Sequence, residues 1–291
     1  MPFNRWSYPW TKSWAYYVFK KHHTQLNAMW WAHHAASRHS ATTAHNVGLA
    51  NRTFQAFPAA VIHPSRQDLP LSEWLEYYKA YDNWVRLSAC MSMCSYFEHY
   101  LYRIVMLSIS SDPGVLLGKA RAIDGASYLK SGVNPIEFKP HIESITKGTW
   151  QARVAAYERL FASVPQVLSS NVADLDRIRE LRNKVGHRFG RSLADGDVSP
   201  LAGLAEPERL SEERLAKWLG IVEKTVAAID DHLRTLHIGA YEVLQAYSEI
   251  KKDPFVKGWR DRRLSRYFPD KQGGLLAAAY CREAISYYDA L

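Results

Sequence analysis

"LSEWLEYYKAYDNWVRLSACMSMCSYFEHYLYRIVMLSIS", residues 71–110, decides the fold class. Trp74, Tyr78, Tyr81, Val85, Cys90, Phe97, Leu101 and Val105 recur with a helical period along most of it. Ser72 is a good N-cap and Leu75 starts the apolar pattern, while Asp112-Pro113-Gly114 stops it. One long helix is expected here, interrupted at most once.

Outward from it, the same period recurs and alternation at period two does not. Phe19, Leu26, Met29, Trp30 and His33 share a side of a helix expected from Tyr16 to Ser40, and "FPAAVIHPSRQDLP" then supplies a boundary. Residues 113–149 carry Gly114, Gly118, Gly125, Gly132 and Gly148 and read as an insertion with short helices. "WQARVAAYERLFASVPQVL" (150–168) and "VADLDRIRELRNKVGHRF" (172–189) read as helices, the second with Asn171 as N-cap and Gly190 beyond its end. Residues 211–252 read as another long helix with half a capping box, Ser211 being followed by Arg214 where Glu would complete it. "DPFVKGWRDRRLSRYFPDKQGG" (253–274) reads as a basic connector before a last helix. The expectation is an all-α chain in three parts. Residues 1–68 form an aromatic- and His-rich helical extension, 69–252 a helical domain with the insertion at 113–149, and 253–291 a basic tail.

Composition bounds the function. The 291 residues are 47% hydrophobic, enough for a real core, and the net charge of +8 makes a polyanion, nucleic acid above all, the natural partner. Three cysteines (Cys90, Cys94 and Cys281) are no disulfide framework, and a reducing compartment is expected. "MPFNRWSYPW" has no apolar signal core, and no apolar run nears the roughly 20 residues of a membrane span. A cytoplasmic protein without membrane attachment is expected.

His22, His23, His33, His34, His39 and His45 crowd the first third, yet no His-Glu-x-x-His or Cys-x-x-Cys accompanies them. They read as helix histidines, and no metal ligand set or cofactor is expected. Cys90 and Cys94, four apart on an apolar face, read as core. In the basic tract, Arg260, Arg262, Arg263 and Arg266 beside Trp259 suit phosphates and base stacking.

The stretch that invites chemistry is "RELRNKVGHRFGR" (179–191). Leu175, Ile178, Leu181, Val185 and Phe189 form one stripe and should face the core. Asp176, Asn183 and His187 fall on the other side, and Arg182 at the edge of the stripe. Five residues at about 100° each put Arg182 and His187 about 140° apart on one straight helix. The reach of arginine, a bend at Gly186, or a second copy of the helix could unite them. Lys184, Arg188 and Arg191 add positive charge at a helix end, where cations also meet the dipole favourably.

"LDRIRELRNKVGHRFGR", with "KGTWQARVAAYERLF" upstream, resembles the HEPN family, all-α domains marked by Arg-x(4–6)-His with a polar residue after the Arg, here Asn183. The resemblance spans roughly residues 71–252, is specific over about 25 residues around the motif, and excludes both ends of the chain. It implies a HEPN-like antiparallel bundle and a metal-independent endoribonuclease of toxin or anti-phage defence type. Arg182 and His187 would be catalytic, with Asn183 in support. Glu98 is a candidate partner of the site from the long helix. Lys184, Arg188, Arg191 and the tail arginines would touch RNA. It further implies a homodimer with a composite site at the two-fold axis, and an antitoxin or sensor partner is compatible with it. A non-catalytic RNA-binding or protein-interaction module, or a structural dimerisation bundle, is the competing expectation.

Overall fold

The structure is a computed structural model that describes residues 3–58, 63–133, 135–188, 208–253, 260–267 and 275–291. It is built from helices α1 (Trp14–Val47), α2 (Thr53–Ala56), α3 (Pro64–Gln67), α4 (Leu71–Ser111), α5 (Gly125–Ser131), α6 (Phe138–Thr146) and α7 (Trp150–Phe161). It continues with α8 (Gln166–Ser170), α9 (Val172–Arg188), α10 (Glu212–Leu233), α11 (Tyr241–Lys252), α12 (Arg260–Tyr267) and α13 (Ala278–Ala290). Among the described residues there is no strand, only an isolated bridge between Arg52 and Pro70, so the chain is all-α. No helix among them is long and apolar enough to cross a membrane.

Contacts divide the chain into two compact units, one of residues 1–21, 96–176 and 221–291, the other of residues 22–95 and 177–220. The division falls within α1, α4, α9 and α10.

In the first unit the back half of α4 buries Phe97, Tyr100, Leu101, Ile104, Val105 and Ile109, as its period predicts. They share the core with Trp150, Tyr157 and Phe161 of α7, Val222, Val226 and Ile229 of α10, and Val243, Leu244 and Tyr247 of α11. The helix expected over 150–168 is two. Ala162 adopts a left-handed conformation at φ 61° and closes α7, and Pro165 cannot continue it. Asn171 O accepts the Leu175 N–H at 2.9 Å at the start of α9, and its side-chain amide donates to Val167 O at 2.7 Å.

The helix expected over 211–252 is also two. Ser211 Oγ accepts the Arg214 N–H at 3.2 Å, the half box read from the sequence. Residues 234–238 then widen into a π turn that ends at Gly239, φ 54°. A Cβ at Gly239 would sit 2.3 Å from Arg5 O, so only glycine fits. The break is held from outside: Arg5 donates to Ile238 O at 2.9 Å, Ser111 Oγ to His237 O at 2.7 Å, and Arg121 to Leu236 O at 2.9 Å. Carbonyls that would have bonded along a continuous helix are thus satisfied by side chains remote in sequence.

Close by, Tyr8 donates to the Glu242 carboxylate, and Ser13 to Asp230. Burial pushes Glu242 up to about 7, and Asp230 to about 6. The basic connector contains a helix, α12, whose Leu264 is buried. Tyr288 OH of α13 donates to Ser248 Oγ of α11 at 3.1 Å. Cys90, Cys94 and Cys281 form no disulfide and are buried, as small core residues.

In the second unit α1 buries Leu26, Trp30 and Ala44, while Met29 is exposed, against the expected stripe. The front of α4 departs further. Leu71, Leu75 and Leu87 are buried, whereas Trp74 and Tyr78 are half-buried and Tyr81 is exposed. The aromatic stripe of the first three turns is not core.

Candidate functional site

The motif stands on the last turns of α9, in the second unit. Ile178, Leu181 and Val185 of its apolar stripe are buried there, and Leu175 is buried in the first unit. Phe189 lies outside the described residues. Arg182 and Asn183 are half-buried, and the Arg182 guanidinium donates to Asn183 Oδ1 at 3.2 Å. The helix runs unbroken through Gly186 to Arg188, which leaves no interruption there to turn His187 toward Arg182. A Cβ at Gly186 would make ordinary contact with Met91 Cε at 3.5 Å, so this glycine is not demanded by space. The side chains of His187 and Arg188, and all of Arg191, lie outside the described residues.

A polar lattice fixes what surrounds this helix end. Lys184 Nζ is 2.9 Å from the Glu208 carboxylate, which raises the lysine's pKa by hydrogen bond and charge. Asn83 Nδ2 donates to Glu208 O at 2.8 Å, Asn83 Oδ1 accepts from Leu210 N–H at 3.0 Å, and Arg86 Nε donates to Leu210 O at 2.6 Å. The strip 208–211 is therefore clasped to α4. Asp82 receives His33 at 2.6 Å and Arg86 at 2.9 Å. Burial alone would raise the Asp82 carboxyl, but bonds from His33 and Ser37 and the Arg86 charge hold it below the usual carboxylate range. Glu212 lies 3.0 Å from His34 and 3.2 Å from Arg38. Two of the crowded N-terminal histidines are thus structural pairs. Among the described residues no three His, Cys, Asp or Glu side chains converge as a metal ligand set.

The other predicted site residues stand on other elements. Glu98 is half-buried on α4 in the first unit, whereas the motif belongs to the second. Asp176, read on the polar face with the motif, accepts the Trp150 N–H at 3.0 Å and helps start α7. In the basic tract, Arg260 is half-buried and acts on Tyr247 and Asp289, while Arg263 lies 3.3 Å from Asp253. Arg262, Arg263 and Arg266 are exposed.

One constellation has no signature in the sequence. Ser163 Oγ is 2.8 Å from His232 Nε2, and Tyr157 OH is 2.7 Å from His232 Nδ1. The spacing suggests a nucleophilic serine, but the tautomer argues against one. Tyr157 is fully buried, so its proton needs Nδ1 as acceptor. The neutral ring then carries its proton on Nε2, donates to Ser163, and cannot act as its base. Burial and the neighbouring His237 lower the His232 pKa, which keeps the ring neutral. These residues lie about 70 and 75 positions apart in the chain, a separation only tertiary structure closes.

No protein-family model matches the chain, and no curated protein and no solved structure matches it either.

Proposed function

We propose that the chain is a HEPN-type endoribonuclease that cleaves RNA by attack of its own 2′-hydroxyl, without a metal, as a toxin or anti-phage effector in the cytoplasm. The observation that supports this most is the Arg182–Asn183 pair, held half-buried beside the apolar stripe of α9 one turn before His187. The pair presents an always-charged, bidentate donor to a phosphate, oriented by an amide whose oxygen already engages it.

In this reading His187 removes the proton of the 2′-hydroxyl, a task suited to a group that titrates near neutrality. The 2′-oxygen bonds to phosphorus, the bond to the 5′-oxygen breaks, the leaving 5′-oxygen takes a proton from water while His187 returns its proton to solvent, and Arg182 stabilises the charge that builds on the phosphorane. The products carry a 2′,3′-cyclic phosphate and a 5′-hydroxyl. On a straight helix the two residues diverge by about 140°. The unbroken course of α9 through Gly186 speaks against the bend, and of the two routes left, the reach of the arginine and a second copy, this reading takes a homodimer whose sites each draw on both chains.

The second reading, a non-catalytic RNA- or partner-binding module, is favoured by Lys184, whose charge is already used on Glu208. One experiment separates them. Purified protein is incubated with total RNA in excess chelator, beside the His187→Ala variant, and the ends are mapped. Cleavage that persists in chelator, leaves cyclic phosphates and vanishes in the variant is expected. Binding without cleavage, or cleavage that returns only with Mg²⁺, overturns the nuclease reading.

A further inference from the structure

The front of α4 presents an anomaly of burial. Trp74, Tyr78 and Tyr81 repeat at the interval of an amphipathic stripe, yet the core takes Leu71 and Leu75 and leaves Tyr81 at 51% exposure, with Tyr77 at 61%. Aromatic surface on this scale costs solubility unless something covers it in use. These side chains, with Phe57 and Arg66, line an open cleft of about 470 Å³, within the roughly 300–1,000 Å³ of small-ligand sites. The rings are ordered by one another. Trp74 stacks on Tyr78 at 4.7 Å and 14°, and Phe57 leans on Trp74 at 4.9 Å. Rings already held in place lose little freedom when a further ring joins the stack.

We propose that this cleft is a base-stacking site for single-stranded RNA. Charge selects the ligand: the lining carries one cation, Arg66, and no carboxylate, and the whole chain is +8. The Arg66 guanidinium has no partner among the described residues and is exposed on α3, at hand for a phosphate beside a stacked base. A duplex keeps its bases stacked internally and offers none to such a surface, so the cleft selects unpaired strands. An apolar or proline-rich peptide would use the rings but gain nothing from the guanidinium. The choice of polymer rests on the nuclease reading above; the site itself is separate from the motif residues.

The test uses the full-length His187→Ala chain and a fluorescent ten-nucleotide RNA, single-stranded or annealed to its complement, read by anisotropy. A Tyr77→Ala/Tyr81→Ala double variant is expected to weaken single-strand binding about tenfold or more and to leave duplex binding unchanged. Both side chains are exposed, and circular dichroism checks the fold. Tyr77→Phe/Tyr81→Phe, which keeps the ring faces, is expected to bind as the parent does, and Arg66→Gln to lessen the salt dependence. Unchanged single-strand binding in the folded Ala variant overturns the site. Equal losses for strand and duplex overturn it, as does displacement of the RNA by an uncharged proline-rich peptide. A wild-type chain that cleaves nothing while the double Ala variant still loses binding refutes the nuclease reading and leaves the cleft standing. A wild-type chain that cleaves while the double variant binds normally does the reverse.

Discussion

Arg182 occupies the edge of an apolar stripe, where a long aliphatic stem can lie along the Leu181 and Val185 turns while the head stays polar. Its Nη1 donates to Asn183 Oδ1, one bond of a planar five-donor fork. If the head stabilises a phosphorane, its geometry matters as well as its charge. Arg182→Ala is expected to lower cleavage by about 10²–10³, the cost of removing one preorganised charged donor. Arg182→Lys retains the charge but loses the planar fork, and is expected to recover only part of that loss. Asn183→Ala removes one bond to the guanidinium and is expected to give a smaller defect in kcat than Arg182→Ala. Single-turnover cleavage of a defined RNA by the three variants checks this order; Arg182→Lys with full activity would reduce Arg182 to a point charge.

At the scale of helices, two glycines within periodic sequence have opposite standing. Gly186 is helical and, among the described residues, a methyl there makes ordinary contact with Met91 Cε at 3.5 Å, whereas Gly239 has φ 54° and a methyl there meets Arg5 O at 2.3 Å. Gly186→Ala is expected to stabilise by about 0.5–1 kcal/mol through helix propensity and to keep activity, since α9 is continuous helix through that position. Gly239→Ala is expected to destabilise by at least about 2 kcal/mol, adding left-handed strain to a clash with backbone. Urea unfolding of both checks the signs, and an inactive but folded Gly186→Ala would restore the bend as a way to join the motif. The same pair shows what the sequence made legible. The existence of long helices and the burial of Leu175, Ile178, Leu181 and Val185 followed from period alone. The break at 234–240 did not, because it depends on Arg5, Ser111 and Arg121, which no local window contains. The exposure of the aromatic front of α4 could not be read for a related reason: period marks an apolar stripe, but not whether a neighbour covers it. For the motif, the pairing of Arg182 with Asn183 could be expected from adjacency, while the strip 208–211 clasped by Asn83 and Arg86 could not.

At the scale of the whole molecule the question is how many chains make one site. The proposed reading needs Arg182 and His187 on one phosphate, and their positions fall about 140° apart around an unbroken helix. A two-fold axis beside α9 would bring Arg182 of one chain to His187 of the next, and each dimer would then hold two sites. An Arg182→Ala chain and a His187→Ala chain, carrying different tags, can be mixed and the heterodimer isolated by sequential purification. If the site is shared, one site in that heterodimer lacks both residues and the other lacks neither. Cleavage should then recover to up to about half of wild type, though each parent homodimer has about a hundredth of it or less. If each chain works alone, through the reach of the arginine, every chain in the heterodimer is missing one essential group and the mixture stays dead. A monomer that is active at assay concentration would also exclude the shared site, since dilution would then leave the specific activity unchanged. Because the aromatic cleft and the motif are carried by different side chains, heterodimers built on the Tyr77→Ala/Tyr81→Ala background should regain turnover of bound RNA while still binding single strands weakly. Recovery of kcat without recovery of affinity is the outcome that assigns chemistry to the α9 residues and capture to α4.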